Sequence, residues 1–322
     1  MKKVLSRGSL LKSDGKTLCE IGYCDKLVKS YNLKDIKGKG IDKFRENFEL
    51  IYYESGFCFA VNVIRRRFFG EIKIQIFDFL NRHFEEERVV EFFACKKYSL
   101  SKERELHIKN SGISLDFVDG KKKTLNVKGS GDGLIKIDAE ITNKIPLSVV
   151  TTGQFKDGFN YARNSIGYIA RGTVKYGDRK IKLYGNDSAQ VAYNYRISTT
   201  KLIKNNCQIF AEGKIKGKNI SIVLDTLSGE NCANSSIVFY EGYIYKLGEM
   251  VAVIRSDDGY KFLGKNNSFS IVFSPHALHF DNYKNNKGIE FGKLKGEMTL
   301  KNGDKIAFEN IGAFIAYNSR IM

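Results

Sequence analysis

The sequence predicts an all-β protein built from antiparallel strands, and three observations support this. Residues 188–198, SAQVAYNYRIS, alternate apolar and polar side chains, as a strand with one buried face does. Glycine stands beside Asp or Asn in short turns between such strands, where a tight hairpin needs positive φ. The chain has 30 glycines and only 2 prolines, which suits a sheet protein because proline interrupts strand ladders.

A series of hairpins runs along the chain, and each places two strand-like segments around a Gly-containing turn. They are ISLDFVDGKKKTLNV at Asp119-Gly120, GTVKYGDRKIKLYG at Gly177-Asp178, AEGKIKGKNISIVLD around Gly217, VIRSDDGYKFLG at Asp258-Gly259 and GEMTLKNGDKIAFEN at Asn302-Gly303. Helical periodicity is weak. The best candidate for a short helix is NRHFEEERVVEFF, residues 81–93.

Three of the hairpins, which begin at Gly172, Gly213 and Gly296, share a loose pattern of glycine, turn and Ile-x-apolar strand. Such reuse favours two similar barrels over one large sandwich. The polar stretch at residues 198–206 is a plausible boundary between them. We therefore predict two β-barrel domains with little helix, residues 1–198 and residues 199–322.

The chain carries a formal net charge of +17, with 53 basic and 36 acidic residues. One interpretation is a polyanion partner, either nucleic acid or an anionic membrane surface, contacted through Arg65–Arg67 and Lys121–Lys123. The other is a lysine-rich composition spread evenly over solvated strand faces. The short, separated basic clusters favour the second, and nucleic acid is not the expected partner.

The cysteines form no CxxC pair and have no neighbouring histidine at metal spacing, so neither a metal site nor a disulfide framework is predicted. They are Cys19, Cys24, Cys58, Cys95, Cys207 and Cys232. The basic N-terminus has no apolar signal segment, and no run is long enough to span a membrane. We expect a cytoplasmic protein with reduced thiols and no cofactor.

The order of several short motifs resembles a known bacterial family, domain-of-unknown-function family 2804. The motifs are Tyr31-Asn32 before IDKFRENFELIYY, YARNSIGYIARGTVKYGDRKIKLYG, EGYIYKL (241–247), FSP (273–275), FGKLKG (291–296) and NGDKIAFENIGAF. That family is related to two-barrel, lipocalin-like proteins that include the carotenoid hydratase hydroxyneurosporene synthase. The resemblance implies two lipocalin-like (calycin-like) barrels over nearly the whole chain.

The same comparison identifies candidate site residues. Where the family has Asp-Trp-x-Arg, this chain reads Tyr193-Asn194-Tyr195-Arg196, so only the arginine is retained. Phe48 and Glu49 stand in the places of a Trp-Asp pair. Arg196 is either solvated outside a barrel or lines a cleft between two barrels, where its guanidinium fork would bind an anionic head group.

Two further residues are candidates on chemical grounds. Glu49 lies among large apolar neighbours, which raise a carboxyl pKa and suit a general acid, unless it faces water on an edge strand. His276 and His279 are three residues apart around a possible cavity, without a third metal ligand. The predicted ligand-binding set is Glu49, Tyr193, Asn194, Arg196 and His276.

These residues and the resemblance favour a protein that binds a hydrophobic or amphipathic small molecule. A lipid, fatty acid or isoprenoid in a barrel cavity or an inter-barrel cleft is the expected ligand. The alternatives are an isoprenoid lyase or hydratase with Glu49 and Arg196 as acid and anchor, and the polyanion-binding protein described above.

Overall fold

The structure is a computed structural model. It describes residues 3–25, 28–37, 44–54, 56–93, 98, 105–110, 112–119, 123–129, 135–186, 189–199, 207–225, 236–247, 250–256, 259–276 and 289–317. In these residues the chain forms β-strands and two single-turn 3-10 helices, Leu33–Asp35 and Lys265–Asn267, and no α-helix. The all-β prediction is confirmed.

The first sheet contains thirteen strands of the described residues and holds the N-terminal part of the chain, in the order β8-β7-β6-β5-β15-β13-β12-β11-β10-β9. Strand β14 pairs with β13, and β3 pairs with β1 and β12. The strands are β1 (Lys3–Val4), β3 (Gly22–Cys24), β5 (Arg45–Glu54), β6 (Phe57–Arg66), β7 (Phe69–Asp78), β8 (His83–Phe92), β9 (Glu105–Lys109), β10 (Ile113–Asp119), β11 (Lys123–Gly129), β12 (Lys136–Phe155), β13 (Gly158–Tyr176), β14 (Arg179–Tyr184) and β15 (Gln190–Ser198). Two short strands, β2 (Gly8–Ser9) and β4 (Lys29–Ser30), pair with each other outside this sheet.

Within the described ranges the second sheet has nine strands, in the order β19-β18-β17-β16-β24-β23-β22-β21-β20. Its strands are β16 (Cys207–Ile215), β17 (Lys218–Asp225), β18 (Ile237–Tyr240), β19 (Tyr243–Lys246), β20 (Met250–Ser256), β21 (Gly259–Gly264), β22 (Phe269–Pro275), β23 (Ile289–Thr299) and β24 (Lys305–Tyr317). The first sheet thus ends at Ser198 and the second begins at Cys207. Whether residues 1–198 and 199–322 are separate folding domains stays a prediction.

The predicted hairpins are present as antiparallel strand pairs. Gly177 and Gly303 take φ of 49° and 91° in their turns, a region that glycine enters without steric cost. The hairpins at Asp119 and Gly259 pair as expected, although their tips include residues outside the described ranges.

The predicted helix at residues 81–93 is wrong, because this segment contains strand β8. Its ten residues pair with β7 in register from Phe69↔Phe92 to Asp78↔His83. The cross-strand contact of Phe77 with Phe84, at 5.0 Å between ring centroids, anchors the pairing. Tertiary pairing therefore decided the conformation of a segment whose own preference is weak.

Each sheet curls around its own apolar cluster, and a third cluster lies between the sheets. In the first sheet the inner face carries large aromatic side chains such as Tyr52, Phe59 and Tyr161. The third cluster joins apolar side chains from both sheets. They are Ile51, Tyr53, Cys58, Ala60, Phe77, Val149, Ile166 and Ala192 from the first sheet, and Phe210, Val223, Ile237, Phe239, Ile289, Phe291 and Phe314 from the second.

Candidate functional site between the two sheets

Strand β15 is buried on both faces along all nine of its residues. Val191, Tyr193, Tyr195 and Ile197 point into the core of the first sheet. The alternate residues occupy the opposite face, here called the outer face, which the second sheet covers. The solvated position considered for Arg196 is wrong, since this residue is only 7% exposed.

The outer face of β15 contacts the second sheet through polar groups. Gln190 donates from Nε2 to the Glu212 carbonyl oxygen over 2.6 Å, and Asn194 donates from Nδ2 to Gln208 Oε1. Arg196 Nη2 lies 3.5 Å from Asp225 Oδ2. Three polar side chains on the outer face of β15 thus contact the second sheet.

Gln208 connects these contacts into a network. Its Nε2 donates to Asp225 Oδ2 at 2.8 Å and to Asn164 Oδ1 at 3.3 Å. Gln208 and Asp225 are cross-strand partners on β16 and β17, so the second sheet presents them as a pair. This pair was not predicted from the sequence. Gln208 and Glu212 lie on the opposite face of β16 from apolar Cys207, Ile209 and Ala211, and this alternation could have indicated a polar face.

A polar row crosses the outer face of the first sheet at the level of Asn194. Its members are direct cross-strand neighbours on β13, β15, β5, β6 and β7. They are Asn164, Asn194, Glu49, Asn62 and Lys73. Because neighbouring strands are about 4.8 Å apart, the row spans about 19 Å perpendicular to the strands.

Burial raises the pKa of Glu49 above its usual value, and this is the largest effect on that carboxyl group. Asn62, which donates to Glu49 Oε1 at 3.1 Å, and the charges of Lys73, Arg45 and Arg196 oppose the rise. Burial also lowers the pKa of Arg45 to about 10, helped by the neighbouring Arg66 and Arg196. Asn164 and Asn194 are buried and Glu49, Asn62 and Lys73 are half-buried, so several charges lie close together in partly dehydrated surroundings.

Six buried polar atoms in and beside the row have no hydrogen-bond partner within the described part of the chain. They are Arg45 Nε, Asn47 Oδ1, Asn62 Oδ1, Asn164 Nδ2, Asn194 Oδ1 and Arg196 Nε. A buried polar atom without a partner costs about 1–3 kcal/mol. Such a concentration at one place indicates a site that something else completes.

The structure brings three of the five predicted site residues together. Asn194 and Glu49 are adjacent in the row, and Arg196 pairs with Asn47 one step further along. Tyr193 lies on the inner face, where its hydroxyl is 3.3 Å from Asp119 Oδ2 and its ring contacts Phe48 and Phe117.

His276 lies at the other end of the contact between the sheets. Its Nε2 is 3.0 Å from the Tyr53 hydroxyl, and its ring packs edge-on against Phe79. Burial lowers the pKa of His276, with a smaller effect from Lys293. Six residues of β5 separate Tyr53 from Asn47, about 20 Å of extended strand. His279 lies outside the described residues.

The two basic clusters do not form one exposed face. Arg65 is buried on the inner side of the first sheet and contacts Glu46 Oε2 at 3.2 Å. Lys123 is also buried and pairs with Asp119 Oδ1 at 2.9 Å; Lys121 and Lys122 lie outside the described residues. One residue of each cluster is therefore buried, so a polyanion surface that uses all six residues does not form, whereas Arg66 and Arg67 are exposed.

Several other sequence expectations concern thiols, metals and membranes. Cys24, Cys58 and Cys207 are buried, and Cys19 is exposed. The described ranges contain no group of three or more His, Cys, Asp or Glu side chains placed to hold a metal ion. They contain no helix that could cross a bilayer.

The fold and the site define a two-sheet, lipocalin-like protein with a partly buried polar row that runs to the contact between the sheets. The chain belongs to the family Domain of unknown function (DUF2804), which covers residues 1–318. This confirms the family resemblance drawn from the ordered motifs. No curated protein sequence matches the chain.

Solved structures share the fold at low sequence identity. Kievitone hydratase from Nectria haematococca is 12% identical with a TM-score of 0.51, and the match covers 85% of this chain and 89% of that one. An AttH-like protein from Nitrosomonas europaea is 8% identical with a TM-score of 0.50, over 85% of this chain and 92% of the other. At these identities the likeness establishes the architecture only.

Proposed function

We propose that this protein binds an amphipathic small molecule at the contact between the two sheets, with its polar head on the polar row. The observation that carries the proposal is the group of six buried polar atoms without partners. A bound head group would satisfy atoms whose burial is otherwise costly. The protein would act in the cytoplasm on a lipid or isoprenoid.

The unpartnered atoms indicate the chemistry of the head. Arg45 Nε, Arg196 Nε and Asn164 Nδ2 are donors, whereas the Oδ1 atoms of Asn62 and Asn194 are acceptors. A hydroxyl group donates and accepts, and a carboxylate only accepts. We therefore infer a head with one or more hydroxyl groups rather than a simple fatty acid.

The charge of Arg196 supports a head without full negative charge. Its guanidinium already faces the carboxylate of Asp225, and both side chains are almost fully buried. An anionic head at this point would compete with Asp225 for the same donors. This differs from the anion-binding role first considered for Arg196.

Apolar side chains continue from the row along β5, but Ile51 and Tyr53 are already buried against the second sheet, so the body of such a molecule would lie at the partly exposed edge beside Phe79. Two residues along β5 from Glu49 the outer face carries Ile51, and two residues further it carries Tyr53. Tyr53 stacks on Phe291 at 5.6 Å between ring centroids. Phe79, beside them, is half-buried. Aromatic and aliphatic groups of this kind are typical of lipid and isoprenoid sites.

Native mass spectrometry of the protein purified from cells tests the binding. We expect a bound species on the wild type that is lost in Asn62→Leu and kept in Asn126→Leu, a matched change at an exposed position of β11. Thermal shifts with farnesol and with palmitate test the head: farnesol should stabilise more. A wild type that carries nothing and shifts with neither probe would contradict the proposal.

A second candidate is hydration of an alkene, and the raised pKa of Glu49 favours it. The protonated carboxyl would give its proton to one alkene carbon, water would add to the other, and the proton lost by water would return to the Glu49 carboxylate. Glu49→Gln would then abolish turnover of an isoprenoid alkene while binding persists. Unchanged turnover in Glu49→Gln would exclude this role.

A further inference from the structure

A corner of the first sheet exposes three phenylalanines beside two arginines. Phe68 is 52% exposed, Phe92 68% and Phe93 85%. Arg66 is the last residue of β6, and Arg67 precedes Phe68 in the turn between β6 and β7; both arginines are exposed. We call these five residues the aromatic corner. Large apolar side chains are rarely left in water together without a partner.

Backbone pairing holds the corner together. The Phe93 amide donates to the Phe68 carbonyl oxygen over 2.7 Å, so the end of β8 is fixed against the β6–β7 turn. The rings of Phe68 and Phe93 meet edge-on at 6.5 Å between centroids. Phe93 has φ of 60°, a conformation uncommon for a bulky residue. Because this backbone hydrogen bond fixes the end of β8 against the turn, the rings of Phe68 and Phe93 are held at the surface.

The arginines lie over the rings of the same corner. The Arg67 guanidinium carbon is 4.8 Å from the Phe68 ring centroid, and that of Arg66 is 5.4 Å from the Phe69 ring centroid. These contacts place positive charge directly around the apolar groups.

Acidic side chains near the corner are already engaged. Glu71 contacts Arg88 at 2.7 Å, and Glu91 accepts from the Tyr98 hydroxyl at 2.9 Å. Arg88 offsets the charge of Glu71, while Glu91 keeps its own charge, so the positive charge of the corner is that of Arg66 and Arg67 beside the rings. The chain as a whole carries +17, which strengthens long-range attraction to an anionic surface.

We propose that the aromatic corner binds an anionic lipid bilayer. Aromatic rings favour the interface between head groups and acyl chains, and arginines at that level attract acidic head groups. Exposed rings held beside arginines suit insertion among the acidic head groups of a bilayer. This surface differs from the paired basic clusters considered from sequence, because Arg65 is turned inward.

The corner lies on the same outer face as the polar row. Phe69 and Phe92 are cross-strand partners on that face, and Lys73 is four residues along β7 from Phe69. Four strand residues span about 13 Å. If the ligand is drawn from a membrane, this face supplies a short route to the row, but bilayer binding stands without that function.

The absence of tryptophan from the chain allows a direct test. Phe93→Trp gives a protein with one tryptophan, whose emission should shift to the blue with vesicles of phosphatidylcholine and phosphatidylglycerol. Tyr184→Trp is the matched control, since Tyr184 is 64% exposed beside Lys182 on another edge of the sheet. It should show no shift. Circular dichroism confirms that both variants fold.

Charge is tested in the same assay. Arg66→Gln with Arg67→Gln should weaken binding to these vesicles about tenfold or more, since each basic group near an anionic surface contributes substantially. Lys180→Gln with Lys182→Gln, which also removes two charges, here from β14, should weaken binding much less. Pure phosphatidylcholine should bind less, and added salt should weaken the anionic vesicles' attraction.

Three outcomes would overturn the proposal. The first is an unchanged Phe93→Trp spectrum with vesicles, or an equal shift in Tyr184→Trp. The second is a shift produced by a single-stranded oligonucleotide but not by vesicles. The third is a concentration-dependent shift without lipid, which would indicate contact between two copies of the chain. None of these affects the ligand bound at the polar row, so the two proposals fail independently.

Discussion

The ion pair between Arg196 and Asp225 gives the sharpest prediction about the contact between the sheets. The two side chains are 8% and 2% exposed, and Nη2 lies 3.5 Å from Oδ2. Arg196→Ala leaves the buried Asp225 carboxylate without the guanidinium charge, although Gln208 still donates to it at 2.8 Å. Removing one partner of a buried pair costs about 3–5 kcal/mol. The remaining hydrogen bond favours the lower part of that range.

Two control variants separate the charge effect from simple loss of atoms. Arg196→Met with Asp225→Leu replaces the pair by apolar groups of similar size, and such replacements are often neutral or stabilising. We expect this double variant to be more stable than Arg196→Ala. Arg88→Ala breaks the exposed contact with Glu71, where Arg88 is 56% exposed. Exposed pairs contribute about 1 kcal/mol or less.

The assay is urea unfolding followed by circular dichroism and tyrosine fluorescence. Coincident curves would justify a single free energy of unfolding. If the two probes separate, the midpoint of each transition is compared instead. The reasoning would be refuted if Arg196→Ala destabilised the protein no more than Arg88→Ala, or if the apolar double variant were the less stable of the two.

Three further predictions concern other parts of the molecule. Burial raises the folded-state pKa of Glu49, so the wild type loses stability as pH rises through that pKa. Glu49→Gln should therefore raise the melting temperature near pH 8 and leave it unchanged near pH 4. An equal gain at both pH values would contradict this. Gly172→Ala should destabilise strongly, because Gly172 has φ of 147° and an added Cβ would strike the Asp138 carbonyl oxygen; a melting temperature within a degree or so of wild type would show the backbone adapts. Phe291→Ala removes a fully buried ring that packs on Tyr53 between the sheets. It should lower the free energy of unfolding in urea by about 3–5 kcal/mol. A smaller loss would show that the sheets close over the cavity left by the ring.

The strand content of the chain was readable from local chemistry. Hairpin turns such as those at Gly177 and Gly303 need positive φ, and a glycine beside polar residues indicates such a turn from a short stretch of sequence. The helix predicted at residues 81–93 is wrong because the run of three glutamates and two valines in this segment fits either periodicity. Its pairing with β7, and with Phe77 in particular, decided the strand.

The sequence also determined that β15 has two distinct faces, because side chains alternate along a strand whatever surrounds it. It could not determine what covers the polar face. That depends on Gln208 and Asp225 of the second sheet, more than ten residues away in the chain and brought close only when the sheets meet. The alternation of side chains shows that one face of β15 is polar. The burial of Arg196 depends on contacts with residues that are distant in the sequence. The candidate site could therefore be identified only from the tertiary structure, which shows that the polar face of β15 is buried against the second sheet.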